Sequence, residues 1–223
     1  MTSTATADRL VAARLYVVTD ARQSPAQVEA VVAAACAAGA DVVQLRRKGD
    51  AGLETLRLAE RCRALTAAAG VLFVVNDRLD VAMAAGADGV HLGQDDLPLP
   101  AARALWPGVI VGRSTHSLEQ AVAAVAEGAD YIGVGPVHAT PTKPGRPAVG
   151  LSLVSQVAAA RLPLPWFAIG GIDAASLPDV VAAGARRVAV VRAVCEAPDV
   201  ASAVRSLRAA LAAATPSAAE AVA

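Results

Sequence analysis

The sequence predicts an α/β protein, a single-domain (β/α)8 TIM barrel, and three observations support this fold class. First, 223 residues are a usual length for one such barrel. Second, an alanine-rich helical stretch that ends at a glycine and continues into an apolar run occurs four times along the chain. Third, unusual polar residues recur where the apolar runs end. The repeat glycines are Gly39, Gly86, Gly128 and Gly184.

Each copy of the repeat indicates a helix end followed by a buried strand, because glycine adopts the left-handed backbone past a helix end without a Cβ penalty. Successive copies are separated by about two strand–helix units, so four copies predict eight units. The predicted strands are β-branched runs bounded by turn signals. They cover residues 14–19, 42–47, 72–76, 89–92, 109–113, 131–135, 166–169 and 187–191.

A doubly wound open sheet is the alternative architecture, since it also alternates strands and helices. No Gly-x-Gly-x-x-Gly motif follows the first strand, and the phosphate-type signals lie late in the chain, which favours the closed barrel. We predict a flexible N-terminal segment over residues 1–13, the catalytic barrel over 14–211 and a disordered tail over 212–223.

Charge and hydropathy exclude several classes of protein. Twenty basic and twenty acidic residues cancel, which leaves no basic surface for nucleic acid. No apolar run approaches the ~18 residues that span a bilayer, and the first thirteen residues lack a secretory signal. The three cysteines, Cys36, Cys62 and Cys195, lack Cys-x-x-Cys spacing and indicate buried, reduced thiols. We expect a cytoplasmic protein without nucleic-acid or membrane partners, and homo-oligomerisation is left open.

The second predicted strand carries polar side chains into the barrel mouth. Gln44, Arg46 and Lys48 are spaced by two, so they project to one face while Val43 and Leu45 project to the other. Active sites of these barrels lie at the carboxyl ends of the strands. A phosphate-rich ligand explains cations at this place, and a solvated strand end is the alternative.

Asp77 and Asp96 follow the neighbouring strands three and four, so their carboxylates can converge on one hard cation. Magnesium is the natural candidate, because it prefers oxygen and is typically held by one or two carboxylates plus substrate phosphates. The alternative is that each aspartate caps the turn or helix that follows it.

Later segments add further candidate phosphate ligands. The proline-rich loop over residues 138–147 resembles a lid whose hydroxyls and Lys143 suit phosphate oxygens, although a plain surface loop is the alternative. Residues 169–172 and 191–193 match the usual phosphate site of such barrels. His91 and His116 are assigned no catalytic role. No nucleophile–base set or His/Cys cluster supports covalent hydrolysis or zinc chemistry.

Taken together, these motifs resemble the thiamine-phosphate synthase family over about residues 14–210. The most specific are Asn-Asp at 76–77, Gly-Gln-x-Asp at 93–96 and Thr-x-Thr-Lys at 140–143. Residues 16–20, 44–48, 112–116 and 169–172 and the end of strand eight continue the match in order. The resemblance implies a transferase that joins an aminopyrimidine diphosphate to a thiazole phosphate, giving thiamine phosphate and pyrophosphate.

The resemblance also implies roles for individual residues. The pyrimidine diphosphate would be contacted by Gln44, Arg46, Lys48, Asn76, Ser114 and Lys143. Mg²⁺ would be held by Asp77 and Asp96. The thiazole phosphate would be contacted by Thr140, Thr142, Gly171, Val191 and Arg192. The implied mechanism is dissociative, and Arg46, Lys48 and Lys143 would stabilise charge on the departing diphosphate. The family pattern leads us to expect a small residue such as Ser at position 192, and Arg192 departs from it.

The sequence leaves two alternatives to the transferase open. One is the thiazole tautomerase of the same fold, an isomerase that residues 112–116 would suit. Asp77 and Asp96 argue against it, because a tautomerase has no diphosphate to ionise. The other is a non-catalytic sensor that binds thiazole phosphate and regulates a partner.

Overall fold

The predicted closed barrel is present in the structure, a computed structural model that describes residues 4–49, 51–140 and 147–213. Eight parallel strands pair in sequence order, and the last pairs with the first. The strands are β1 Leu15–Val18, β2 Val42–Leu45, β3 Leu72–Asn76, β4 Gly89–Leu92, β5 Ile110–Thr115, β6 Tyr131–Val134, β7 Trp166–Ile169 and β8 Val188–Val190.

Helices surround the barrel, at least one following each strand. They are α1 Thr4–Ala12, α2 Pro25–Ala37, α3 Gly52–Ala68, α4 Leu79–Ala84, α5 Leu99–Leu105, α6 Leu118–Ala126, α7 Gly150–Ala160, α8 Leu177–Ala182, α9 Arg192–Cys195 and α10 Val200–Ala213. Within the described residues, no helix is long and apolar enough to cross a bilayer.

Apolar side chains pack on both faces of the barrel wall. Val43 and Leu45 of β2 point outward into the main cluster between sheet and helices. Val42 points inward and joins the interior cluster with Tyr16, Phe167 and others. This alternation confirms the predicted register of β2 and directs Gln44 into the barrel.

The four repeat glycines have positive φ, between 63° at Gly86 and 106° at Gly184, as a helix-terminating glycine requires. In three of the four copies, an aspartate lies two residues after the glycine, and its side chain ties adjacent strands together at their amino ends. Oδ2 of Asp41 accepts from Leu15 N–H at 2.9 Å, that of Asp88 from Phe73 N–H at 2.8 Å, and that of Asp130 from Val111 N–H at 2.7 Å. The fourth copy has Arg186 in this place.

The structure differs from the sequence prediction at some element ends. β2 stops at Leu45, two residues before the predicted end, and β5 continues to Thr115, two residues beyond it. Residues 4–12, part of the segment predicted to be flexible, form α1. Leu10 of this helix is buried in the interior cluster and covers the amino end of the barrel. Residues 214–223 of the predicted tail lie outside the described residues.

Candidate active site

A cavity of about 290 Å³ opens at the carboxyl ends of the strands. Catalytic sites of (β/α)8 barrels lie at this face. Eight residues that were predicted from the sequence to bind substrate line this cavity. They are Gln44, Arg46, Asn76, Ser114, Thr140, Gly171, Val191 and Arg192.

Three aromatic rings form the apolar floor of the cavity. The ring of Phe167 packs nearly perpendicular to those of Tyr16 and Tyr131, with ring centroids 5.3 and 5.8 Å away. Phe167 and the two tyrosines are each at most 2% exposed. Burial raises the pKa of both tyrosines well above the ordinary value of 10.0, so their hydroxyls stay protonated. The floor therefore combines apolar ring carbons with two neutral hydroxyls.

Polar side chains around this floor form a continuous series of hydrogen bonds. Gln44 Nε2 donates to Tyr16 Oη at 2.7 Å, and Tyr16 Oη lies 2.9 Å from Tyr131 Oη. Tyr131 Oη lies 3.0 Å from Nδ1 of His91, whose Nε2 lies 2.9 Å from Ser114 Oγ. The series joins β2, β1, β6, β4 and β5, and thus crosses the barrel.

At the rim, the structure brings together three residues that the sequence assigned to the site, Lys48, Asp77 and Asp96. Lys48 Nζ donates to Asp77 Oδ2 at 2.6 Å. Burial raises the pKa of Asp77, Lys48 lowers it, and the adjoining Asp96 carboxyl raises it further. Asp77 and Asp96 therefore form an acidic pair that a divalent cation would stabilise.

Backbone geometry fixes both aspartates. Asp77 has a φ of 63°, in the left-handed region, and its N–H donates to the carbonyl of His91 at 2.8 Å. Asp96 Oδ2 accepts from Gly93 N–H at 2.6 Å. Arg113, only 8% exposed, donates to the Gly93 carbonyl at 2.7 Å. The loop that carries Asp96 is therefore braced from β5.

Arg46 lies between the rim and the cavity floor. Its N–H donates to Thr19 Oγ1 at 3.0 Å, which fixes the chain just past the end of β2. Burial lowers the pKa of its guanidinium, while the charges of Asp77 and Asp20 raise it. The side chain lines the cavity near these acids, where it can reach an anionic ligand.

The opposite wall of the cavity has the features of an anion site. Gly171, with a φ of 63°, follows β7, and an added Cβ there would lie 2.8 Å from Cβ of His138. Val191 precedes α9, whose first residue is Arg192. The first N–H groups of a helix have no acceptor within it, so they are available to a ligand.

Thr142 and Lys143, which the sequence also nominated, lie outside the described residues. Sequence reasoning missed Tyr16 and Tyr131 and left His91 without a role. One signal was available: these are the chain's two tyrosines, and each occupies an inward position near the start of a strand. Within the described ranges, no group of three His, Cys, Asp or Glu side chains could hold a metal ion.

Sequence and structure matches to known proteins cover all the residues of the site. A family model described as thiamine monophosphate synthase matches residues 15–194. The thiamine-phosphate synthase of Deinococcus radiodurans is 54% identical over 204 residues, 88% of this chain and 73% of the relative. That of Mycobacterium sp. (strain KMS) is 52% identical over 212 residues, 91% and 94% of the two chains. A solved thiamine phosphate pyrophosphorylase from Pyrococcus furiosus has a TM-score of 0.83 at 34% identity, covering 94% of this chain and 99% of that chain.

Proposed function

Because the chain belongs to the thiamine-phosphate synthase family, we propose that its cavity joins 4-amino-2-methyl-5-hydroxymethylpyrimidine diphosphate to 4-methyl-5-(2-hydroxyethyl)thiazole phosphate. The products are thiamine phosphate and pyrophosphate. The observation that carries this assignment to the site is the contact of Lys48, Asp77 and Asp96 just past the strand ends. Asn76, which directly precedes Asp77, lines the aromatic-floored cavity. The floor suits a flat heterocycle, and the rim suits a leaving diphosphate.

The diphosphate end of the first substrate is assigned to the cationic side of the rim. Arg46 and Lys48 supply positive charge there, and Asn76, the last residue of β3, adds a polar side chain that lines the cavity. These groups stabilise charge that grows on the diphosphate as its bond to carbon breaks. Lys143, assigned the same role from the sequence, lies outside the described residues.

Magnesium fits the donor set at the rim. Asp77 and Asp96 would hold it, since their carboxyls adjoin and burial disfavours the charge on Asp77. A two-carboxylate site suits this ion, which takes its remaining ligands from water and substrate phosphates. When bound, Mg²⁺ supplies positive charge that stabilises the departing diphosphate. Lys48 pairs with Asp77, one of these two carboxyls.

The thiazole phosphate is assigned to the opposite wall. Backbone N–H groups near Gly171, Val191 and Arg192 would donate to its oxygens, and the hydroxyl of Thr140 lies on the same cavity. A backbone contact tolerates Arg192 where the family pattern leads us to expect Ser, and the guanidinium can add a charged donor. Two anion sites on opposite walls hold the reacting atoms between them.

The bond changes require no enzyme nucleophile. The bond between the pyrimidine methylene carbon and the diphosphate oxygen breaks, and its electron pair leaves with pyrophosphate. The methylene carbon becomes cationic, and the lone pair of the thiazole nitrogen forms the new C–N bond. The protein contributes by fixing both substrates and by stabilising the leaving group, which is worth about 3 kcal/mol for a single preorganised contact.

The two alternative functions lack comparable support. A tautomerase needs neither an acidic pair nor cations at a diphosphate site, whereas Lys48, Asp77 and Asp96 are in contact here. A sensor would bind thiazole phosphate without needing the aromatic floor on the other side of the cavity. We further propose a cytoplasmic location, because the three cysteines are buried and free, as expected in a reducing compartment.

A single assay tests the proposed function and both alternatives. Purified protein is mixed with the two substrates and Mg²⁺, and pyrophosphate and thiamine phosphate are quantified over time. The transferase forms both in equal amounts. Binding of thiazole phosphate without product would instead support the sensor. In a parallel sample that contains the thiazole carboxylate phosphate instead, isomerisation of that compound without pyrophosphate release would support the tautomerase.

A further inference from the structure

The hydrogen-bond series that crosses the cavity floor has features that the transfer reaction alone does not explain. It links Gln44, Tyr16, Tyr131, His91 and Ser114 through contacts of 2.7 to 3.0 Å. Four of the five residues are at most 8% exposed. Tyr16, Tyr131 and His91 lie between Gln44 and Ser114, which are two of the residues assigned to substrate binding from the sequence. We call this series the relay.

The direction of the relay follows from counting protons. Gln44 Nε2 donates to Tyr16 Oη, so the single proton of Tyr16 is free to donate to Tyr131. The proton of Tyr131 then goes to Nδ1 of His91, which must accept. His91 therefore carries its proton on Nε2 and donates to Ser114 Oγ.

With the amide nitrogen of Gln44 on Tyr16, the opposite direction leaves the buried proton of Tyr16 without an acceptor. If Tyr131 donated to Tyr16, the Tyr16 proton would need another partner. Among the described residues, the hydroxyl of Tyr16 contacts Tyr131 and the amide nitrogen of Gln44 only. A buried hydroxyl proton without an acceptor is costly. The first direction gives the protons of Tyr16, Tyr131 and His91 an acceptor within the relay.

We infer that Tyr16, Tyr131 and His91 are positioning residues that present Gln44 as a hydrogen-bond acceptor and Ser114 as a donor to the pyrimidine, and so select an amino-substituted ring. The inference rests on the proposed function. Once Nε2 of Gln44 is engaged, Oε1 is the amide atom left for a ligand. Once Ser114 Oγ accepts from His91, its own proton is left to donate.

These two ends match the chemistry of a 4-aminopyrimidine. The amino group is a donor, and the ring nitrogen across the ring from it is an acceptor. Gln44 on β2 and Ser114 on β5 come from separate parts of the barrel and line the same cavity. A 4-oxo ring carries a carbonyl oxygen, an acceptor, in place of the donating amino group. That oxygen would face Gln44 Oε1, which is also an acceptor, so no hydrogen bond would form between them. A site built on hydrogen bonds rejects such a mispaired analogue strongly.

The tautomer of His91 gives a direct test that does not depend on turnover. The chain has three histidines, so ¹⁵N-labelled imidazole signals can be assigned by comparison with His91→Asn. The expected result is a neutral His91 with its proton on Nε2. In Tyr131→Phe, which removes the donor to Nδ1, the Nδ1-protonated form should become populated. A proton on Nδ1 in the unmodified protein would overturn the inference.

Kinetics with paired substrates test the selectivity. The ratio of kcat/KM for the amino substrate to that for its 4-oxo analogue is measured in the unmodified protein and in Tyr16→Phe. Loss of the Tyr16 hydroxyl lets the Gln44 amide turn and donate through Nε2, so the ratio should fall about tenfold, as for one neutral hydrogen bond. The KM for thiazole phosphate should change less than about twofold, because that substrate is assigned to the other wall.

A matched variant separates this effect from loss of packing. Phe167→Leu removes a ring that contacts both tyrosines but carries no hydroxyl, so it should leave the amino-to-oxo ratio unchanged. An unchanged ratio in Tyr16→Phe, or an equal fall in Phe167→Leu, would overturn the inference. If the unmodified protein forms no thiamine phosphate, the proposed function fails instead, and the histidine measurement still reports on the relay.

Discussion

The ammonium group of Lys48 lies 2.6 Å from Oδ2 of Asp77, a carboxylate that also adjoins Asp96. Lys48 comes just past β2 and Asp77 just past β3. The contact therefore results directly from the parallel pairing of these two strands. Two adjoining carboxyls suit a divalent cation, and this acidic pair is the basis of the first prediction.

Asp77→Asn should fold and lose magnesium-dependent turnover. Asparagine tolerates the left-handed backbone of Asp77, with its φ of 63°, better than alanine does. The variant should reduce kcat by roughly a hundredfold, about 3 kcal/mol of barrier, as for loss of one preorganised charge contact. Pyrophosphate release measured against Mg²⁺ concentration checks this.

Asp80→Asn is the matched control for this variant. Asp80 lies in the first turn of α4, its side chain is 67% exposed, and it pairs with Arg78 rather than with the rim. Its turnover and magnesium dependence should equal those of the unmodified protein. Unchanged turnover in Asp77→Asn would refute the metal assignment.

Arg113→Lys should weaken magnesium binding without removing any metal ligand. Arg113 donates to the Gly93 carbonyl, and the Gly93 N–H fixes Asp96. Lysine cannot reproduce the planar donor fork, so the Asp96 loop loses its brace. The magnesium concentration for half-maximal turnover should rise about tenfold, the lower end of outer-shell effects.

Arg103→Lys provides the comparison for Arg113→Lys. Arg103 also donates to backbone carbonyls, those of Val109 and Gly128, but at the amino end of the barrel. This variant should lower the melting temperature and leave the magnesium dependence unchanged. If both arginine variants shift the magnesium dependence equally, the brace on Asp96 is not the cause.

Asp20→Asn should reduce stability in a way that depends on pH. Hydrogen bonding from Arg22 holds the pKa of Asp20 below its ordinary value of 3.8. A depressed folded-state pKa contributes stability that is present above the unfolded pKa and is lost as pH falls through the folded pKa. The stability difference between the two proteins should therefore be constant near neutral pH and shrink below about pH 3.8.

Urea unfolding from about pH 7 to about pH 3 measures this difference. Glu60→Gln serves as the control, because Glu60 lies exposed on the surface of α3. Its stability difference from the unmodified protein should stay small across the range. A difference for Asp20→Asn that grows as the pH falls would contradict the prediction.

Parts of the site could be predicted because they depend on local or neighbouring geometry. The period of two in a strand predicted that Gln44 points into the barrel, and this needed no knowledge of the barrel. Arg46 and Lys48 follow the end of β2 at Leu45, so the strand period does not fix their direction. The approach of Asp77 to Asp96 needed only that consecutive parallel strands end side by side. Repeat glycines marked the helix ends, and all four have positive φ.

Contacts across the barrel could not be predicted in this way. Tyr16 and Tyr131 lie on β1 and β6, which do not pair. Their hydroxyls meet because both side chains point into the closed barrel. That meeting depends on the stagger of all eight strands, which no local pattern encodes. Helix α1 was missed for a different reason: it is short, and Leu10 is its one buried residue.

Gly112→Ala should destabilise the fold by displacing Tyr131. A Cβ at position 112 would lie 2.1 Å from Cζ of Tyr131, a distance that side-chain adjustment must relieve. Tyr131 is 1% exposed and packs against Phe167, so it has little room to move. The free energy of unfolding should fall by about 1–3 kcal/mol, as for overpacked cores.

Gly133→Ala on the neighbouring strand β6 is the matched comparison. There a Cβ would lie 3.5 Å from Cε1 of His91, an ordinary contact, so stability should change little. Thermal and urea unfolding of both variants measure the contrast. Equal stability of the two would mean that Tyr131 can shift at no cost. The hydroxyl of Tyr131 would then not be held in place for His91, and the directional relay would lose its structural basis.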